Sequence, residues 1–204
     1  MLKLGPANRG VTLIELAVTL TIVGLLLVAA GPSVVAWIHN TQVRNTATSI
    51  QAGLMRARNE ALRRNQLIRF SLVSLTDTVV MDNTCALSDT GVSWVVSVNN
   101  PTSLCAAAPS ETTDPMIVET QAGGVGGRNV VVAARLADDS AAANTVTFNG
   151  FGRVTDAAPI GFINVSNNVT GGDYRRLRVV IGSSGAVRMC DRDVSTASDT
   201  RACP

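Results

Sequence analysis

The sequence is poor in three residue types on which many protein functions depend. Aromatic residues make up 3 % of the 204 residues, the single histidine is His39, and the sole lysine is Lys3. A nucleophilic site of the Ser-His-Asp or Cys-His kind therefore has no usable base, because the one imidazole lies at the end of an apolar run. We expect no catalytic residue, no metal site, no cofactor and no enzymatic activity.

An excess of charge is also lacking. The formal net charge is +2, and because Lys3 and Arg9 both precede Val11, the chain from Val11 onward is formally neutral. Bulk charge therefore gives no argument for binding to nucleic acid or anionic lipid, and only a local group of arginines could provide one. The length is that of one domain with its own core.

One long apolar run is present, from Leu16 to Ile38, and its 23 residues carry no charge. A helix of about 20 apolar residues crosses a bilayer core, so we expect a transmembrane segment over residues 11–39. A cleaved secretory signal is the alternative. It is less favoured because an apolar signal region is typically about 7–15 residues long and because no small-residue cleavage site follows the run.

The helix is expected to continue beyond the membrane. Apolar residues recur in steps of four and three, which describes one helical face. They are Val43, Ala47, Ile50, Leu54, Ala57 and Ala61. We predict one helix from about residue 13 to about 64, amphipathic over about 40–64. Gly31 and Pro32 interrupt it, and since proline lacks a backbone donor we expect a loosened or kinked helix near Val28.

Short runs rich in β-branched residues follow residue 65 and are separated by turn residues. The runs are LIRFSLVSL, TVVM, SWVVSV, PMIVET, NVVVAAR, NTVTFN, GFINVS, RRLRVVI and AVRMC. Consecutive strands without intervening helices predict an antiparallel β domain over about 66–204. The expected fold class is α+β, with one long N-terminal helix packed on a C-terminal β domain.

The four cysteines form two local pairs, Cys85 with Cys105 and Cys190 with Cys203. Four cysteines allow three connectivities, of which the local one is the simplest. Disulfides indicate an oxidising compartment, and four free thiols in a cytosolic domain are the alternative. Neither pair has the spacing of zinc ligands. With the disulfides outside the cytoplasm, the short N-terminal flank is expected to remain inside it.

A group of arginines is the one local feature that could bind an anion. Alternation along YRRLRVVI places Arg176 and Arg178 on one face of a strand, and Arg188 follows on the next segment. Such a patch could bind nucleic-acid phosphates. The alternative, which we favour, is an exposed sheet face whose arginines pair with acids such as Asp191 and Asp193, because aromatic residues that stack on bases are nearly absent.

Glu15 stands at the start of the apolar run. The sequence TLIE, from Thr12 to Glu15, fits a capping box, and a carboxylate is favourable at the positive end of a helix dipole. The cap explains why the acid is tolerated. It does not explain the polar leader that ends in glycine just before it, and an acid within a membrane segment is by default a functional residue with a partner.

The leader ending in Gly10, the sequence TLIEL and the unbroken apolar run together resemble the class III signal of type IV pilins and type II secretion pseudopilins. The resemblance implies that residues 1–10 are a leader, which a prepilin peptidase removes by cutting between Gly10 and Val11 and then methylating the new amine. Val11 stands where phenylalanine is usual. Glu15 becomes the fifth mature residue, at which the family carries its assembly glutamate, and Pro32 falls where many pilins have a helix-breaking proline.

The rest of the chain is similar to the GspH/FimT family of minor pilins and minor pseudopilins. The matching stretches are ARNEALRRN, SWVVSV, VTFNGFGRV and RLRVVIGSSGAVRMCD. The resemblance implies a pilin-like fold with a periplasmic domain over 40–204, and a FimU/FimT-like subunit at or near the tip of a type IV pilus that helps to initiate assembly. The implied partners are other pilins, the prepilin peptidase and the inner membrane.

Two alternatives remain open within this resemblance. One is a GspH-like minor pseudopilin of the type II secretion system, and the other is a minor pilin that binds DNA in natural transformation. Some members bind DNA through a Gly-Arg-x-Arg motif. The matching residues here are Gly185, Ala186, Val187 and Arg188, so the first arginine of the motif is absent.

Overall fold

The computed structural model describes residues 10–126, 129–170, 172, 174–196 and 198–204, and within these ranges the side chains of residues 29–32 and 125–126 are not described. The chain divides into two compact units, Met1–Ile38 and His39–Pro204. The first unit contains the apolar part of the N-terminal helix, and the second contains the rest of the helix and all the described strands.

Helix α1 spans Leu13–Arg64, which confirms the predicted extent. The six apolar positions predicted to share a face, from Val43 to Ala61, are all fully buried. The helix ends because Asn65 adopts a left-handed conformation with φ of 51°, and the Gln66 N–H then donates to the Ala61 carbonyl at 3.4 Å. This arrangement is typical of a helix C-cap in which asparagine replaces glycine.

The strands form two antiparallel sheets. Their bounds are β1 Ile68–Ser74, β2 Ala86–Leu87, β3 Ser93–Ser97, β4 Ile117–Gln121, β5 Val130–Arg135, β6 Thr145–Phe148, β7 Phe162–Asn167, β8 Leu177–Ile181 and β9 Val187–Asp191. The first sheet has the order β2-β1-β3-β4, with β6 also paired to β1, and the second has the order β5-β7-β8-β9. A short 3₁₀ helix, Gly123–Gly126, follows β4. The predicted α+β class is confirmed.

The strand predictions need two corrections, one for a predicted strand that does not form and one for a strand that was missed. The run TVVM at 78–81 is not a strand, because the carboxylate of Asp77 accepts the Val79 N–H at 3.0 Å and its carbonyl accepts the Val80 N–H at 3.4 Å. The segment therefore turns, and both valines are exposed. Strand β2 was missed since its two residues, Ala86 and Leu87, are too few to show alternation.

The core lies between α1 and both sheets. Phe70 and Trp94 of the first sheet and Ile163 and Val179 of the second belong to the same buried cluster as the helix residue Leu54. The opposite face of the first sheet, which carries Val73 and Val95, is covered as well. A second, smaller cluster there contains Val73, Cys85, Val95, Cys105 and Ile117. Both faces of β3 are consequently buried, which explains why SWVVS lacks a polar alternation.

Candidate processing and assembly site

The expected processing junction lies at the beginning of the described chain. Gly10 has no atoms within 4 Å of the position that a Cβ would occupy, and Val11 is exposed. Both residues precede α1 and are not in regular secondary structure. The backbone at this junction is therefore accessible and outside the helix. The leader residues 1–9 lie outside the described residues.

Thr12 caps the first turn of α1. Its hydroxyl oxygen accepts the Glu15 N–H at 3.2 Å, and its carbonyl accepts the Leu16 N–H at 3.1 Å. The Glu15 side chain is exposed, and its carboxylate has no hydrogen-bond or ion-pair partner among the described residues. The cap thus satisfies backbone donors and leaves the carboxylate available to another molecule.

The helix around Glu15 presents apolar surface in every direction. From Val11 to Ile38, every large apolar side chain that the structure describes is exposed, by 43–87 %. Soluble monomers rarely leave contiguous apolar patches larger than a few hundred Å² uncovered. Exposed apolar surface of this kind is typical of a segment that contacts lipid or another apolar surface.

Gly31 and Pro32, the predicted helix break, lie in the stretch whose side chains are outside the described part of the structure, so their role remains a prediction. Within the described residues, no single straight helix has the length and apolar composition of a membrane span. The helical segments Leu13–Val28 and Ser33–Arg64 on either side would together meet these criteria, on length and composition alone.

Two disulfides stabilise loops of the second unit. The Cys85–Cys105 bridge lies in the smaller apolar cluster, where both cysteines are 1 % exposed. The Cys190–Cys203 bridge ties the C-terminal segment to the edge strand β9, and Asp191 pairs in parallel with Ala202 beside it. No free cysteine is present among the described residues.

The three arginines considered for DNA binding occupy different environments. Arg176 lies before β8 and binds Asp193, with its Nε and Nη2 at 2.6 and 2.5 Å from the same carboxylate oxygen. Arg178 lies within β8, where its Nε donates to the side-chain oxygen of Asn164 at 2.8 Å and its guanidinium lies 4.0 Å from the centre of the Phe162 ring. Burial lowers the pKa of Arg178, and the nearby Arg192 lowers it further.

Arg176 and Arg188 are both exposed, but only Arg176 of the two is paired with an acid. In the β8–β9 pairing, Val180 lies opposite Arg188 and Arg178 lies opposite Cys190, so Arg178 and Arg188 share the outer face of the second sheet. Arg188 has no side-chain partner among the residues that the structure describes. On this face Arg178 is held by its neighbours and Arg188 is open to solvent. Arg176 lies outside the strand and binds Asp193.

Sequence reasoning missed an ionic cluster at the end of α1. The Glu60 side chain is 4 % exposed, and it accepts hydrogen bonds from Arg63 at 3.0 and 2.5 Å and from Arg64 at 2.7 Å. The hydrogen bonds from Arg63 are the main reason that the pKa of Glu60 falls from 4.5 to about 2, with Arg64 contributing and burial opposing. The spacing of three and four residues was a signal that could have identified the cluster.

No group of three or more metal-ligating side chains of His, Cys, Asp or Glu occurs within the described ranges. The adjacent residues Asp138 and Asp139 belong to no such group and lie in a turn. Asp138 accepts the N–H and the hydroxyl of Ser140 at 3.1 and 2.7 Å, and Asp139 pairs with Arg135.

Two family models match the sequence. The model described as type II transport protein GspH matches residues 46–185, and the model described as a prokaryotic N-terminal methylation motif matches residues 6–31. The first match contains most of the second unit, and the second contains Gly10, Val11 and Glu15. Comparison with curated proteins gives no match.

Among solved structures, two crystal forms of the type IV minor pilin FimU from Pseudomonas aeruginosa strain PAO1 are similar to the chain. The form in space group P65 has 16 % sequence identity and a TM-score of 0.41, with 72 % of this chain and 90 % of that chain covered. The form in space group P21 has 17 % identity and a TM-score of 0.46, with 73 % and 88 % covered.

Proposed function

Because the chain belongs to the GspH family, we propose that it is a minor pilin of a type IV pilus, inserted at or near the filament tip, where it helps to initiate assembly. The observation that carries the proposal is the state of Glu15. Its carboxylate has no partner within the described chain, yet it lies in the part of the helix up to Ile38, where all the described large apolar side chains are exposed. Such an acid requires a cation from another molecule.

The N-terminus supplies that cation after processing. Cleavage between Gly10 and Val11 by a prepilin peptidase creates a positively charged amine on Val11, which is then methylated, and Glu15 becomes the fifth residue of every mature subunit. An unpaired carboxylate in lipid costs several kcal/mol, so pairing with the amine of a neighbouring subunit favours incorporation into the filament. The pairing also sets the axial register, because a displaced helix would leave both charges unpaired.

The proposed location is the inner membrane. The apolar part of α1 crosses the membrane once with its N-terminus in the cytoplasm, and residues 40–204 lie in the periplasm until the subunit enters the filament. The two disulfides support this orientation because they persist in an oxidising compartment. Gly31 and Pro32 would let the helix adapt as the subunits pack.

The decisive experiment is intact-mass analysis of the protein extracted from membranes of its host. We expect the mass of residues 11–204 with one added methyl group and two disulfides. A prepilin-peptidase-deficient host should yield the uncut, unmethylated chain. An uncut N-terminus in the wild-type host, or a cut near residue 40, would show that the apolar segment is not a pilin helix.

A minor pseudopilin of type II secretion is the second candidate. The description of the matching family as a type II transport protein favours it, whereas the chain length and the C-terminal loop closed by Cys190–Cys203 lead us to prefer the pilus. Deletion of the gene distinguishes them. We expect loss of surface pili with normal protein secretion, and the reverse result would establish the pseudopilin.

A DNA-binding role in natural transformation is the third candidate, and it depends on the exposed Arg188. We would measure duplex binding by the full chain in detergent at physiological salt. Binding that is lost in Arg188→Ala but kept in Arg153→Ala, an exposed arginine on a different turn, would support it. The absence of binding by the wild-type protein would exclude the role.

A further inference from the structure

A basic cavity of about 360 Å³ opens beside the first turns of the helix in the second unit. Its polar lining contains Arg44 of α1, Arg175 from the segment before β8, and Asp191, Thr200 and Arg201 around the C-terminal loop. The volume is within the range of about 300–1,000 Å³ that is usual for small-molecule sites. Three guanidinium groups therefore surround one space.

Two of these three cations are available to a ligand. Arg201 is neutralised by Asp199, whose carboxylate oxygens lie 3.1 and 2.7 Å from its Nε and Nη2. Arg44 and Arg175 are exposed, and neither side chain has a hydrogen-bond or ion-pair partner among the described residues. Asp191 is the one acid among the described lining residues, so the described lining has a net positive charge.

The segment that carries Arg175 is fixed to α1. The Arg175 N–H donates to the side-chain oxygen of Asn40 at 2.9 Å. The ring of the preceding residue, Tyr174, meets His39 edge-on with 5.0 Å between the ring centres. Asn40 and Arg44 are one helical turn apart, so these contacts hold Arg175 near Arg44 without using either guanidinium.

The position of Arg44 along α1 indicates where the ligand of the cavity comes from. Arg44 follows Ile38, the last residue of the apolar run, by six positions in the same helix, which corresponds to about 9 Å at 1.5 Å per residue. A span embedded up to Ile38 would bring Arg44 to the phospholipid headgroups. Tyr174 lies beside the cavity, and tyrosine is enriched at membrane–water interfaces.

We propose that the cavity binds the phosphate of an anionic phospholipid headgroup, with phosphatidylglycerol as the representative ligand. Arg44 and Arg175 would each donate paired N–H groups to phosphate oxygens, the geometry for which a guanidinium is suited. The site would hold the subunit in a defined orientation in the membrane before assembly. This inference rests on the proposed membrane insertion of α1.

Native mass spectrometry of the full-length chain in a neutral detergent tests the proposal. Phosphatidylglycerol, phosphatidylcholine and free glycerol 3-phosphate would be titrated separately. We expect phosphatidylglycerol to bind more tightly than phosphatidylcholine, and Arg44→Gln or Arg175→Gln to weaken it about fivefold each. Arg153→Gln, which removes an exposed arginine outside the cavity, should leave the affinity unchanged.

Several results would overturn the proposal. Equal affinity for the two lipids, or the same loss in Arg153→Gln as in Arg44→Gln, would show that there is no headgroup site in the cavity. Glycerol 3-phosphate that binds as tightly as phosphatidylglycerol, with the same dependence on Arg44 and Arg175, would assign the cavity to a free phosphate. A short DNA duplex that binds in place of the lipid would assign it to nucleic acid.

Analysis of the membrane-extracted protein from the same preparations distinguishes a failure of this inference from a failure of the proposed function. If the wild-type chain is cleaved at Gly10 and methylated but does not prefer phosphatidylglycerol, only the lipid site is rejected. A wild-type chain that is uncleaved, or that is released from membranes by alkaline carbonate, rejects the pilin proposal instead. Circular dichroism of each variant verifies that the fold is retained.

Discussion

Gly152 and Gly185 meet so closely that a Cβ on residue 185 would overlap the carbonyl oxygen of Gly152. Both glycines have positive φ angles, of 71° and 78°. The same carbonyl accepts a hydrogen bond from the Nε of Arg58 at 3.1 Å. The end of α1, the turn after β6 and the turn between β8 and β9 are therefore joined at one backbone atom.

We predict that Gly185→Ala lowers the free energy of unfolding by about 2 kcal/mol or more, because the methyl group is excluded sterically and the left-handed backbone adds strain. Gly182→Ala in the same turn is the matched control. A Cβ there would have its nearest neighbours at 3.7 and 3.8 Å, so we expect a change of no more than about 0.5 kcal/mol. Urea unfolding measures both, and equal effects would contradict the packing argument.

The pH dependence of stability should report on Glu60. Because its pKa is lowered from 4.5 to about 2 in the folded state, the stabilisation is fully present above pH 4.5 and is lost as the pH falls toward 2. The linked contribution is about 3 kcal/mol. We expect Glu60→Gln to be destabilised by roughly this amount at neutral pH and to lose less stability than the wild type between pH 4.5 and 2.

Glu111→Gln provides the comparison for this pH experiment. Its carboxylate lies 3.3 Å from Arg64, but its side chain is 71 % exposed. Exposed ion pairs contribute about 0–1 kcal/mol, so the variant should unfold nearly as the wild type does and keep its acid sensitivity. A large effect of Glu111→Gln with a small effect of Glu60→Gln would reverse our assignment.

The helix and eight of the nine described strands could be predicted from local patterns, because burial on one face leaves a repeat of 3.6 or 2 residues in the sequence. The burial of Glu60 could not. Its neighbours ARNEALRR have the composition of a solvated helical face, yet in the fold the acid lines a cavity together with Pro109 and Ser110. This arrangement brings together residues some 50 positions apart, which periodicity does not encode.

The arginines illustrate the same limit at the candidate site. Alternation placed Arg176 with Arg178, but the strand begins at Leu177, and the backbone and side chain of Arg176 both bind Asp193. The cap at Thr12 could be predicted for the opposite reason. A helix cap involves residues only three positions apart, so its spacing is visible in the sequence itself.

The two disulfides should differ in their resistance to reduction. Exchange requires access of a thiolate to a disulfide sulfur. Cys85 and Cys105 are both 1 % exposed, whereas Cys203 is half-buried near the chain end. We predict that dithiothreitol under native conditions reduces Cys190–Cys203 first, as measured by alkylation and peptide mass analysis. In denaturant the order should disappear, and early loss of Cys85–Cys105 under native conditions would contradict the prediction.

Replacement of Glu15 separates an assembly role from a structural one. Glu15→Ala removes the carboxylate but leaves the Thr12 cap, which uses the backbone N–H of residue 15. We expect normal cleavage at Gly10, normal disulfides and unchanged unfolding of residues 39–204, together with at least a tenfold loss of subunit in sheared filaments, since several kcal/mol of pairing are removed.

Two further variants identify the property of Glu15 that matters. Glu15→Gln keeps the size of the side chain without its charge and should assemble as poorly as Glu15→Ala if an ion pair with the N-terminal amine drives incorporation. Glu15→Asp keeps the charge on a side chain one methylene shorter and should recover part of the assembly. Immunoblots of the filament and membrane fractions measure each. Full incorporation of Glu15→Gln would mean that a neutral hydrogen bond suffices, and the charge argument for register would then fail even though the subunit is a pilin.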